Sequence, residues 1–179
     1  SLLLQVSRYS TVGQNVLAQR TFERAQRLEP NNPEVYVVLG QHVSDATQAR
    51  QAFQKAVSLA PDHASARVGL GEMLLRENRP REAEAVLQEA IDLDPELAAA
   101  HKNLGLAAAA AGRFQEAVEH VRRAIVLSPN TVSFHYSLAS VLREAGRREE
   151  AEVELHRILE RWPSHPGAER ALAALGGSR

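Results

Sequence analysis

Two histidines, His101 and His135, are the first residues that could do chemistry. The second lies in "SFHYS" at 133–137, with Ser133 and Ser137 on either side. A serine nucleophile needs a histidine base in reach and an acid to orient that base. On one helix these neighbouring offsets do not face one another, so no such arrangement is expected. A metal site needs several converging ligands, but no HxxxH pair occurs and no acidic cluster sits beside either histidine. Both are expected to be packing histidines that stack through a shared slot. His42, His63, His120, His156 and His165 occupy other slots and are expected at the surface. "GLGE" at 69–72 falls inside a helical pattern, not at a strand-to-helix turn, so it is no phosphate loop. The chain has no cysteine, which removes disulfide and thiolate chemistry. The expectation is a non-enzymatic chain with no metal and no cofactor.

The elements that hold these residues are repeated. The intervals separating Pro30, Pro61, Pro95, Pro129 and Pro163 are 31, 34, 34 and 34. Leu39-Gly40, Leu70-Gly71, Leu104-Gly105, Leu138-Ala139 and Leu172-Ala173 keep the same intervals, as do Ala18, Ala49, Ala83, Ala117 and Ala151. The three short intervals overlap only between Leu39 and Ala49, so three residues are missing from "GQHVSDATQ". That repeat is expected to have a clipped turn or a shortened helix. Within each repeat two helical stripes can be read. In the third they are Leu70, Met73 and Leu74, then Ala83, Val86, Leu87, Ala90 and Ile91. Pro80 suits a first helical turn, and Pro95 follows a helix end. Neither stripe is buried by one hairpin alone, so stacked neighbours must cover it.

This pattern resembles the tetratricopeptide repeat (TPR) family. Its 34-residue unit carries Leu-Gly in the first helix, a small-large-small set in the second and a closing proline. The small-large-small sets here are Ala18/Phe22/Ala25, Ala49/Phe53/Ala56, Ala83/Leu87/Ala90, Ala117/Val121/Ala124 and Ala151/Leu155/Ile158. The departures are the short second repeat, Gln5-Val6 where Leu-Gly belongs, and Ile158 in a small slot. The resemblance implies an all-α, right-handed α-solenoid of helix-turn-helix repeats with a concave groove. The expected array has a partial repeat over 1–32, a short one over 33–63, full repeats over 64–97, 98–131 and 132–165, and a closing helix over 166–175. Trp162 is expected to cover the seam between repeats.

The resemblance also implies that the first helix of each repeat lines the groove. The positions that would face it have an apolar centre of Val68, Leu75, Leu106, Ala109 and Ala110. Glu72, Lys102, Asn103, Tyr136, Ser140 and Arg143 supply polar anchors around it. An apolar patch rimmed by polar groups marks an interaction site, so the expected partner is a peptide or helix of another protein. "GLAAAAAGRFQEA" at 105–117 would form the floor, with Ala108 in a packing slot filled by Leu74 and Leu142 elsewhere. Two devices of the family are missing. Val68, Glu72, Ser133 and Ser137 stand where a carboxylate clamp needs Lys, Asn and Arg, and Asn103 alone makes no asparagine ladder. Two other roles remain open: self-assembly through the array ends or the Leu2-Leu3-Leu4 edge, and recruitment of substrate to a larger enzyme.

The bulk numbers bound the partner. A formal net charge of −1 lacks the positive field that nucleic acid or an anionic membrane surface demands. No apolar run is long enough to insert in a membrane. "SLLLQVSRYS" turns polar too soon for a secretory signal, and a start at Ser1 points to an excised or processed chain. Cytosol and periplasm fit equally. Nineteen arginines against Lys55 and Lys102 point to a GC-rich, bacterial source.

Overall fold

Each repeat proline is read by the backbone as a stop. Helices ending at Leu28, Leu59, Leu93, Leu127 and Arg161 all close two residues before one, since the residue preceding a proline is pushed out of the helical region. The computed structural model describes residues 15–176. Its helices are α1 (Asn15–Leu28), α2 (Pro33–His42), α3 (Ala46–Leu59), α4 (Ala64–Arg76), α5 (Pro80–Leu93), α6 (Ala98–Ala110), α7 (Phe114–Leu127), α8 (Val132–Glu144), α9 (Arg148–Arg161) and α10 (Pro166–Gly176). Among the described residues there is no strand. Gln5-Val6 and the Leu2-Leu3-Leu4 edge lie outside them.

The three missing residues come out of a helix. First helix α2 has 10 residues, whereas α4, α6 and α8 have 13 each. The turn after it, Val43 to Asp45, is as long as the others. What changes is its chemistry. The three full repeats place a left-handed residue there: Asn78 (φ 58°), Gly112 (φ 78°) and Gly146 (φ 74°). Glycine and asparagine adopt this conformation at least cost. Around Gly112, Arg113 N donates to Ala108 O at 2.9 Å, and Gly112 N donates to Ala109 O at 2.9 Å. These bonds satisfy the last carbonyls of α6. In the short repeat Val43 is extended instead, and Asp45 caps the next helix by accepting from Gln48 N at 2.7 Å.

The chain divides into two compact units, residues up to Asn78 and residues from Arg79. In the first, α2 packs on α3 and α3 on α4. Phe53 of α3 fills the space left by two glycines. A Cβ on Gly40 would lie 2.6 Å from its ring, and one on Gly69 would lie 2.2 Å from it. In the second unit the small-large-small residues of α7 and α9 are all buried. Ala117, Val121, Ala151, Leu155 and Ile158 share one core with Ala108, Val118, Leu138 and Leu142, and Trp162 packs against its edge. Ile158 sits in its small slot with no exposure. Gly105 lets α6 approach α7 closely: a Cβ there would lie 2.6 Å from Val121 Cγ2 and 2.8 Å from Ala117 O.

Candidate functional site

One slot near the start of each first helix sends its side chain back to the carbonyl of the repeat proline, six residues upstream. Tyr36 Oη donates to Pro30 O at 2.8 Å, and the Arg67 guanidinium donates to Pro61 O. His101 Nε2 bonds Pro95 O at 3.1 Å and His135 Nε2 bonds Pro129 O at 3.0 Å. A carbonyl only accepts, so both histidines carry their proton on Nε2. The bond satisfies a carbonyl in the turn between repeats, two residues past the end of the preceding helix. Both histidines are buried, at 9% and 6% exposure.

The two histidines do not stack on each other. Each meets its own partner from the second helix of its repeat. His101 stacks on His120, with ring centroids 6.0 Å apart. His135 Nδ1 lies 2.5 Å from Glu154 Oε1, and Arg157 Nη1 donates to Glu154 Oε2 at 2.5 Å. Trp162 covers His135 at 5.6 Å. Both nitrogens of His135 are therefore engaged, while Ser137 Oγ donates to Ser133 O at 2.9 Å. The Nδ1 of His101, by contrast, is buried without a hydrogen-bond partner.

Three histidines expected at the surface have structural work. His120 is partly buried, and burial holds its imidazole below the ordinary value of 6.5. His101 pushes it the same way, and Glu116 and Glu119 oppose. His63 caps α4 by accepting from Ala66 N at 3.2 Å, and its Nε2 lies 2.8 Å from Glu34. His165 accepts from Ala168 N at 3.0 Å at the start of α10. Among the described residues no three metal-ligating side chains converge.

The proposed groove residues divide between the two units. In the first unit, Val68 is buried and Leu75 partly so. Glu72 is bound by Arg76 at 2.8 Å, one helical turn on. In the second unit, Lys102 Nζ donates to Asn103 Oδ1 at 2.5 Å, over an Asn103 that is 1% exposed. Leu106 is half-buried and Ala110 exposed, but Ala109 is 8% exposed and belongs to the core with Val118, Leu138 and Leu142. Tyr136, Ser140 and Arg143 come together, lining one shallow hollow with Ala139, Leu155 and Ala171. The Tyr136 ring lies 5.4 Å from that of His165 and closes over Gly167.

Sequence models described as tetratricopeptide repeat match residues 43–96 and 74–131, and a second one matches 108–175. The chain belongs to the tetratricopeptide repeat family. No curated protein matches the sequence. Among solved structures, a thermophilic TPR protein of Thermus thermophilus is 22% identical. It superposes with a TM-score of 0.85 over 97% of this chain and 96% of its own. MamA (41-end) from Desulfovibrio magneticus RS-1 is 24% identical, with a TM-score of 0.71 over 92% of this chain and 95% of its own. YrrB, described as a TPR protein with an unusual peptide-binding site, is 21% identical, with a TM-score of 0.65 over 95% and 89%. These likenesses show the fold, an all-α array of helix-turn-helix TPR units. Among the described residues, no helix is long and apolar enough to cross a membrane. A TPR array is a protein-interaction module, and the family's members are generally non-catalytic.

Proposed function

We propose that this TPR chain is a scaffold that binds a peptide or helix of a partner protein on the first-helix face of its second unit. The observation that carries this reading is the cluster of Tyr136, Ser140 and Arg143 around a hollow of only about 10 Å³, across which a partner would lie without inserting a side chain. Tyr136 is among the few large hydrophobic residues left exposed, at 36%. Arg143 is exposed, with no side-chain partner among the described residues. Tyrosine and arginine are favoured anchors because each couples a large contact area to directional hydrogen bonding. On the preceding first helix, Leu106 and Ala110 add apolar surface that a partner backbone can approach. At roughly 25 cal/mol per Å², a few hundred Å² of apolar burial contributes several kcal/mol before association costs. YrrB's peptide-binding description supports the same use of the fold.

The test is capture and crosslinking with a Leu106→Lys, Tyr136→Ala, Arg143→Glu variant, with helicity checked by circular dichroism. All three side chains reach solvent, so the fold should survive. Partners held by the wild type should be lost. Unchanged capture by the folded variant would rule out this face.

A further inference from the structure

The second unit has another concavity, on a different side of α8. It encloses about 650 Å³ between α7 and α9, with α8 as its floor. Ile125, Leu138 and Leu142 make the interior apolar, and His135 and Glu154 close one wall. Val126 and Val153 stand at its edges, 69% and 59% exposed. One repeat earlier in each case, a solvated surface puts Asp92 and Glu119 in these slots, and both are exposed. Two repeats earlier the slots hold Ser58 and Ala85, also exposed, so the valines are larger and more apolar than either predecessor, and both stand beside one cavity.

The rim charges bear on what could fill it. Arg157 is bound by Glu154 at 2.5 Å, and Glu150 is shared between Arg147 at 2.7 Å and Arg122 at 3.4 Å. Glu149 is exposed on the rim, and its side chain has no partner among the described residues. Of the three rim carboxylates, only Glu149 has no cation paired with it among the described residues. A cavity of this size lies in the range of ligand sites and exceeds what one anchoring side chain needs.

We infer that this α7–α8–α9 cavity docks an amphipathic helix of a partner protein, which inserts two adjacent aliphatic side chains between Val126 and Val153 and sets a lysine or arginine against Glu149. A helix suits a trough walled by two helices, because its side chains at i and i+4 point into it together. This surface is independent of the first-helix hollow, so one chain would hold two partners, or two segments of one, at once.

The probe is a fluorescein-labelled helical peptide of Ala, Leu and Lys, with Leu at i and i+4 and Lys beside them, followed by anisotropy at physiological salt. Controls exchange Leu for Ser or Lys for Glu. The protein variant is Val126→Asn with Val153→Gln, which gives these slots the shapes found at Asp92 and Glu119 without adding charge. The wild type should bind saturably. The double variant should weaken binding by about tenfold, the exposed aliphatic area being the main contact, and Glu149→Lys should weaken it by about threefold. The Leu106→Lys, Tyr136→Ala, Arg143→Glu variant should bind this peptide unchanged, which separates the two surfaces. The inference is overturned if the peptide does not saturate. It is overturned equally if the Ser peptide binds as well, or if the double variant binds undiminished. A cavity that takes a small amphiphile but no helical peptide would also overturn it.

Discussion

His101 and His135 fill one slot, but only His135 has a carboxylate beside its Nδ1. His120 stands one repeat before Glu154, in the corresponding position. His120→Glu would therefore offer the orphaned Nδ1 of His101 the bond that Glu154 makes at 2.5 Å. A hydrogen bond to a charged group contributes about 1.5–3 kcal/mol. The His120 side chain is 28% exposed, so the new carboxylate would keep part of its hydration and lose only some of that gain. A net stabilisation of about 1 kcal/mol follows, or roughly 2–4 °C in Tm for a chain of this size.

The sign of the pH dependence is a sharper test. In the wild type, folding holds His120 below its ordinary 6.5. The unfolded chain then binds more protons, so stability is lost as pH falls through and below 6.5. The variant lacks that group. It therefore keeps the stability that the wild type loses, so its advantage grows on going from pH 8 to pH 6. Urea unfolding by circular dichroism at the two pH values measures this. Hydrogen exchange in α6 and α7 separates local from global effects, because repeat arrays need not unfold in one step. If the variant is less stable than wild type at pH 6, or the two pH slopes coincide, the pairing logic is wrong.

Other outcomes follow from the same geometry. Gly69→Ala gains up to about 1 kcal/mol of helix propensity, but its Cβ would sit 2.2 Å from the Phe53 ring. It should destabilise by about 1–3 kcal/mol, and most of that cost should vanish in a Phe53→Leu background; additive urea midpoints would refute the contact. Gly112→Ala should cost about 1–2 kcal/mol through its left-handed backbone alone, since a Cβ there meets nothing within 4 Å. Asn78→Gly, at φ 58° in the same slot, should change stability by less than about 0.5 kcal/mol. Equal effects at the two sites would refute the conformational explanation.

What could be read from the sequence was whatever the packing allows only one kind of residue to do. Each repeat proline ends the helix before it, and Gly105 is fixed by a contact with Val121 and Ala117 that admits no Cβ. Such positions repeat in kind as well as in place (Gly105 gives way only to Ala139 and Ala173), so their period was visible. The bond to the proline carbonyl repeats in place only: Tyr36, Arg67, His101 and His135 share nothing but a side-chain donor of suitable reach. No single residue type marks that slot, and the histidines looked like an isolated pair. Ala109 fell into the core for a related reason. Helical phase gives the direction of a side chain, whereas exposure depends also on how near the next helix comes, and α6 comes near because it is so small-sided. The alanine run thus serves close packing with α7 more than it floors a hollow, leaving Leu106 and Ala110 as its accessible part. The cavity beneath Val126 and Val153 needed both kinds of information. The sequence supplies the contrast with Asp92 and Glu119, and only the folded unit shows that the two exceptions flank one space. In a repeat array each repeat is a control for the next. A slot that departs from its neighbours while remaining exposed is better evidence of a contact than an apolar residue judged alone.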